Sequence, residues 1–308
     1  MRKTGNSWIQ VELTTRCNLK CQYCERTIVD MESKDVSPKI RDGLLEFLCE
    51  KYKANKVLFQ GFGETFLYPE FNDFITKLRK IRKDMSIQIV SNGMINNQNV
   101  MIILKNVDVL YISFDSINDN YWENVRCGGN KDRILKNIAE FKKNNPELRI
   151  VINSVVNNKN ITEMKDVIQT LKKIGIKEFQ IIPEINIESI DNSSCAENKI
   201  RQMITKLKEE YEDIIIYSSL GQNPLNDCLW YDFGFYVTID GTLTPCCMQS
   251  TVDEDTHVIG NILDSDVIEK ITFYRENLEE VKRGNACREC KKIKFNETWN
   301  SVDRHPLT

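Results

Sequence analysis

Six short runs rich in β-branched residues alternate with helical patterns over residues 1–185, and no other feature restricts the fold as much. The runs are residues 9–13, 56–59, 87–90, 109–114, 150–156 and 179–182, bounded mostly by Gly, Asn, Asp or Pro. Between the fifth and sixth, Ile161, Met164, Val167, Ile168, Leu171 and Ile174 repeat at the helical period and share one face. Ile40, Leu44, Leu45, Leu48 and Tyr52 do the same after the first run. Ser37-Pro38 and Asn160-Ile161-Thr162-Glu163 read as helix starts, each opening on a polar cap residue. Strands separated by helices form parallel pairs with right-handed crossovers. Because the pattern stops at six units, a partial (β/α)6 barrel of the TIM type is expected over residues 1–185, an α/β fold.

The pattern then changes. Residues 184–198 are polar and read as a linker. A helical pattern at 200–207, a short strand at 214–217 and a hairpin follow. The hairpin arms, 234–239 and 242–245, flank Asp240-Gly241, a strong turn dipeptide. A helix near 267–278 precedes Cys287-Arg-Glu-Cys290. Residues 186–308 are thus expected to form a linker and a small α+β domain.

Composition excludes several classes of function. Of 308 residues, 28% are charged and the net charge is −3, so nothing suggests a nucleic-acid or anionic-membrane surface. No apolar run approaches the ~18 residues of a membrane span, and no apolar stretch follows the basic start as in a secretory signal. A cytoplasmic, reducing setting is expected, where eleven cysteines point to metal or redox chemistry rather than disulfides. They cluster as Cys17, Cys21 and Cys24; as Cys246 and Cys247; and as Cys287 and Cys290, which Cys228 joins. Cys49, Cys127 and Cys195 are single.

Cys17-Asn-Leu-Lys-Cys21-Gln-Tyr-Cys24 lies in the loop after the first strand, on the end of a barrel where active sites are built. Three thiolates from one short loop can hold three irons of a cubane and leave the fourth open. A zinc site is the alternative; it needs a fourth ligand, from His257, His305 or a borrowed Cys.

Cys-x3-Cys-x2-Cys, preceded by Glu12-Leu13-Thr14-Thr15-Arg16 and with Tyr23 before the last cysteine, resembles the signature of radical S-adenosylmethionine (SAM) enzymes. The resemblance implies a [4Fe–4S] cluster whose open iron binds SAM, and an electron that cleaves SAM to a 5′-deoxyadenosyl radical. Gly61-Phe62-Gly63-Glu64 resembles the family's Gly-Gly-Glu motif, with Thr65 where Pro is usual. It implies that Gly63 allows close backbone approach and that Glu64 accepts from the SAM ammonium. Ser91-Asn92-Gly93 implies a ribose contact through Ser91 or Asn92. Ser113 and Arg126 fall where related enzymes hold the SAM carboxylate, although Arg126 also reads as a surface charge. Asn153, alternating with Ile152 and Ser154, is a candidate for the barrel interior.

Gly241-Thr-Leu-Thr-Pro-Cys246 after Cys228 resembles the opening of the SPASM extension, and ending at Cys287-x2-Cys290 resembles its shortened twitch form. This implies an auxiliary [4Fe–4S] cluster on Cys228, Cys246, Cys287 and Cys290, as in 2-deoxy-scyllo-inosamine dehydrogenase-like twitch enzymes. Spacing alone favours a zinc site with four thiolate ligands, and Cys247 can replace Cys246. Cys127 reads either as a hydrogen-atom donor to a substrate radical or as an inert thiol.

The leading expectation is a radical SAM oxidoreductase of the dehydrogenase type. It would abstract hydrogen from a small alcohol or amine, such as a sugar or cyclitol, oxidise the substrate radical through the auxiliary cluster, and take its reducing electrons from a flavodoxin or ferredoxin. Only sixteen residues precede Cys17, too few for a fused peptide-recognition domain, which tilts the expectation away from peptide substrates unless a separate partner protein supplies recognition. The alternatives are a peptide-modifying radical SAM enzyme and a non-catalytic metal-binding sensor.

Overall fold

The computed structural model describes residues 7–184, 193–218, 234–247 and 257–277. Cys228, Cys287 and Cys290 lie outside the described residues.

All six expected strands form: β1 (Trp8–Val11), β3 (Lys56–Phe59), β4 (Ser86–Ser91), β5 (Val109–Ser113), β7 (Arg149–Val156) and β8 (Glu178–Pro183). Each pairs in parallel with the next, in the order β1-β3-β4-β5-β7-β8. Helices α2 (Pro38–Glu46), α3 (Phe71–Ile81), α4 (Gln98–Leu104), α6 (Lys131–Asn144) and α7 (Met164–Lys173) provide the crossovers. Between β2 (Lys20–Cys21) and β3 also lies the short α1 (Glu25–Ile28), and α5 (Asp119–Asn124) precedes β6 (Arg126–Cys127).

Strand alternation assigns the two faces of the sheet. Ile9, Val11, Val57, Phe59, Ile87, Ile89, Leu110, Ile112, Ile150 and Ile152 join the main core with the helices. Leu58, Val109, Tyr111 and Val151, of the other parity, form a separate small cluster on the concave face. The same parity also carries polar side chains, Gln10, Gln60, Gln88, Ser113, Asn153 and Gln180, besides the apolar Trp8, Val90, Val155 and Ile182. The inner face therefore has an apolar floor and amide-rich walls.

The sheet does not stop at six strands. β9 (Ile215–Ser218) pairs in parallel with β8, and β10 (Gly234–Val237) pairs in parallel with β1. The expected hairpin is present, with β11 (Thr242–Thr244) antiparallel to β10, and β12 (Gly260–Asn261) completes a ten-stranded sheet. A hairpin turn dipeptide specifies the partner on one side only, so the sequence left β10's pairing with β1 undetermined.

Three local expectations need correction. α8 (Ser193–Glu210) begins inside the stretch read as linker, ahead of the apolar pattern at 200–207. Asn160 does not cap a helix with its side chain: Ile161–Glu163 is a 3-10 turn, and the Asn160 amide reaches elsewhere. After Glu46, the second helix widens into a π turn over Phe47–Lys51 that leaves Tyr52 extended, so the regular helix is shorter than the period implied, although Ile40, Leu44, Leu45, Leu48 and Tyr52 all pack on the core as expected. Ser37 does cap α2, accepting from the Ile40 N–H at 3.3 Å, with Pro38 in the first turn. α9 (Val267–Glu276) closes the described chain.

Candidate functional site

The three N-terminal cysteines follow β1 at the C-terminal end of the sheet. Residues 12–16 hold them there. Thr15 donates to the Glu32 carbonyl at 2.6 Å and accepts from the Lys34 N–H at 2.8 Å. Arg16 pairs with Asp35 and donates to the Leu67 carbonyl at 2.6 Å. Cys21 is buried, and Cys17 and Cys24 are half-buried. Burial pushes the Cys21 thiol up to about 11; Asp115, Cys24 and Cys17 reinforce the rise, while Arg126 opposes it. Cys17 is raised as well, first by burial. Thiols that oppose one another's ionisation this way suit a bound cationic group, which favours the thiolates.

Gly63 carries the second motif against this loop. A Cβ there would lie 2.2 Å from the Thr14 carbonyl oxygen and 2.7 Å from that of Arg16. Only glycine permits that approach, and it lets the Glu64 N–H donate to the Arg16 carbonyl at 2.7 Å. Glu64 is 2% exposed. Its carboxylate accepts from the Ser91 hydroxyl at 2.9 Å, the Asn92 N–H at 2.7 Å and the Phe66 N–H at 3.3 Å. Burial raises its pKa against the pull of these donors. A carboxylate offers about four acceptor sites, so about one remains for a ligand.

Ser91 and Asn92 are both committed inside the protein. Ser91 joins Glu64 to the Gly93 N–H. Asn92 donates to Asn18 at 2.8 Å and approaches the Cys17 sulfur at 3.9 Å, tying the end of β4 to the cysteine loop. Ser113 and Asn153 are register partners at the ends of β5 and β7. The Asn153 Oδ1 is buried with no hydrogen-bond partner.

Arg126 is not a surface charge. It is 3% exposed and pairs with Asp115, itself fully buried, at 3.1 Å. It lies opposite Cys21 in the antiparallel pair β2–β6, while Cys127 lies opposite Lys20. Cys127 therefore points to the other side of the strap, where its thiol donates to the Glu123 carbonyl at 3.3 Å. The structure does not bring it to the side of the strap that Cys21 and Arg126 share.

Sequence reasoning missed three groups. Asp115 accepts from Tyr23 as well as Arg126. Asn160 donates to the Asp115 carbonyl at 2.9 Å and the Val155 carbonyl at 2.8 Å, which fixes the ends of β5 and β7. Glu12, one step past β1 on the concave side, accepts from the Phe62 N–H at 2.7 Å. Burial pushes its carboxyl up to about 7. The buried Tyr236 hydroxyl of β10 lies beside it, outside good hydrogen-bond geometry. A carboxylate placed between a polar motif and a strand predicted elsewhere gave no local signal.

The C-terminal cysteines are described only in part. Cys246 and Cys247 follow β11, both half-buried. The charge of Cys247 acts on Tyr236, as does that of Glu25, next to Cys24.

Orphaned polar atoms at Asn153 and Arg126, the glycine approach at Gly63 and the thiol loop together fit an iron–sulfur cluster with a SAM ligand. Residues 11–171 match the Radical SAM superfamily, and residues 228–291 match SPASM, an iron–sulfur cluster-binding domain. The chain belongs to the radical SAM superfamily, whose cofactors are SAM and a [4Fe–4S] cluster, and the second match adds auxiliary iron–sulfur binding. Among curated proteins it is similar to a GTP 3′,8-cyclase of Clostridium botulinum, 23% identical over 89% of this chain and 91% of that one. It is also similar to an S-adenosylmethionine-dependent nucleotide dehydratase of Psychrobacter lutiphocae, 26% identical over 56% of this chain and 64% of that one. These names differ from the dehydrogenase named by the twitch resemblance. Among solved structures, Streptococcus suis SuiB bound to S-adenosylmethionine aligns with a TM-score of 0.71 at 14% identity, over 96% of this chain and 71% of that one. BtrN in complex with AdoMet and 2-DOIA aligns over 99% of both chains, with a TM-score of 0.53 at 16% identity. These likenesses show the fold, a partial barrel.

Proposed function

We propose that this radical SAM enzyme is an oxidoreductase that removes hydrogen from a small alcohol or amine, such as a sugar or cyclitol. In this reading Cys17, Cys21 and Cys24 hold the cluster. Bound there, it would supply the electron that splits SAM to a 5′-deoxyadenosyl radical; this radical would take a hydrogen atom from the substrate, and the substrate radical would then lose a proton and pass one electron to the auxiliary cluster. Glu64 uses its remaining acceptor site for the SAM ammonium, and Asn92 sets the distance between the β4 end and the cysteine loop. Ser113, Asn153 and the free Nε of Arg126 face the rest of SAM. Residues 1–185 make the barrel and 186–308 the auxiliary part, with Cys228, Cys246, Cys287 and Cys290 as its ligands. A cytoplasmic setting with a flavodoxin or ferredoxin as electron donor suits this chemistry.

The observation that carries the oxidoreductase reading is Glu12. A concave-face carboxyl with a pKa of about 7, beside a buried hydroxyl lacking a hydrogen bond of good geometry, is suited to accept the proton an oxidised alcohol or amine releases. A nucleotide triphosphate, which the cyclase relatives' names suggest, is less well matched. Among the described arginines, Arg126 and Arg149 are each paired with a carboxylate, Asp115 and Glu178. A peptide substrate is the second reading, favoured by the likeness to SuiB bound to its precursor peptide SuiA, with a TM-score of 0.69.

The test is deuterium transfer into 5′-deoxyadenosine from labelled cyclitols, amino sugars, GTP and peptides. Transfer from a cyclitol or amino sugar with formation of the ketone or imine supports the reading. Transfer from GTP or a peptide alone refutes it.

A further inference from the structure

Asp115 has no part in the reading above, yet its carboxylate accepts three hydrogen bonds from groups around the site, as many as Glu64 does. Its Oδ2 accepts from the Tyr23 hydroxyl at 2.7 Å and from Arg126 Nη1 at 3.1 Å. Its Oδ1 accepts from the Val155 N–H at 2.9 Å, and its carbonyl takes the Asn160 amide at 2.9 Å. Tyr23 lies between two of the loop cysteines in sequence. Arg126 faces Cys21 across the β2–β6 pair, which the Gln22 N–H extends by donating to the Val125 carbonyl at 2.8 Å. One carboxylate therefore ties the cysteine loop to the ends of β5 and β7.

The charges are as significant as the hydrogen bonds. A guanidinium with one buried partner, a free buried Nε and the Trp122 ring 5.4 Å from its centre is poorly screened by water. It stands opposite a cysteine thiol. Net charge, hydrogen bonding and burial around the sulfurs are what set the potential of an iron–sulfur cluster.

We propose that Asp115 is a positioning residue for the iron-binding loop: with Tyr23 and Arg126 it locks the loop to β5 and β7 and balances the guanidinium charge that sets the cluster's reduction potential. This rests on Cys17, Cys21 and Cys24 holding that cluster, which the iron content of their triple Ala variant checks separately.

The experiment is a reductive titration of anaerobically reconstituted full-length protein, following the EPR signal that added SAM perturbs. Asp115→Asn leaves the guanidinium unbalanced and is expected to move the midpoint to higher potential. Arg126→Gln is expected to move it lower, and the double variant to fall between. Shifts of the same sign, or none, overturn the proposal, because loosened packing alone has no reason to move the two variants in opposite directions. Should Asp115→Asn fail to assemble, Tyr23→Phe keeps both charges and removes one tie. It is expected to lose iron to a chelator several-fold faster than wild type, and an unchanged rate overturns the locking role.

Discussion

Replacing Glu64 with alanine is expected to destabilise the protein even in the absence of SAM. The substitution strips the acceptor from three buried donors: the Ser91 hydroxyl at 2.9 Å, the Asn92 N–H at 2.7 Å and the Phe66 N–H at 3.3 Å. The hydroxyl can rotate to another partner, but the two amides are fixed by the backbone. A buried donor left unsatisfied costs about 1–3 kcal/mol, so the two amides cost about 2–6 kcal/mol. Part is recovered, because burial already penalises the Glu64 charge. The net expectation is about 2–3 kcal/mol, a large share of the roughly 5–15 kcal/mol that holds a domain together. The assay is anaerobic urea denaturation without SAM, with Glu64→Gln as control. The glutamine keeps one acceptor oxygen but presents its NH2 to the other donors, so it should fall between. An alanine variant within about 0.5 kcal/mol of the parent, a surface-like effect, would refute the reasoning and leave the carboxylate a purely ligand-directed role.

Gly63→Ala places a methyl 2.2 Å from the Thr14 carbonyl oxygen, and the loop must retreat; overpacking of about 1–3 kcal/mol is expected, read as a lower urea midpoint and weaker SAM binding in equilibrium dialysis. Glu12 binds its proton more tightly folded than unfolded, so its contribution is fully present below the ordinary value of 4.5 and is lost as pH rises through about 7. Glu12→Gln should remove that decline from the stability–pH curve, worth about 3 kcal/mol at most, and an unchanged curve counts against the assignment. Cys127→Ala is expected to leave SAM cleavage and product formation within about twofold, since its thiol faces away from Cys21; a stalled turnover would restore it as a hydrogen donor. Two cubanes predict about eight irons per chain, and replacing Cys17, Cys21 and Cys24 together should remove about half; zinc in place of half the iron in freshly purified protein would contradict the auxiliary cluster.

Local patterns determined much of this protein. The six parallel strands, the helix 164–173 and the cap at Ser37 were legible because side-chain period and capping chemistry act over a few residues. The cysteine loop and the Gly-Phe-Gly-Glu turn were legible because their ligand types and spacing sit within single loops. The structure decided what joins distant segments. The pairing of β10 with β1, which places Tyr236 beside Glu12, depends on which sheet edge is free, and no local pattern encodes that. Asn160 resembled a helix cap because Asn suits that position; its amide instead spans Asp115 and Val155, a choice made by the burial of two strand ends. Arg126 read either as a SAM-carboxylate ligand or as a surface charge, and only the fold, which removed water from it and from Asp115, made the two a pair. A buried charge must find its partner through space, and the sequence lists the candidates without the distances.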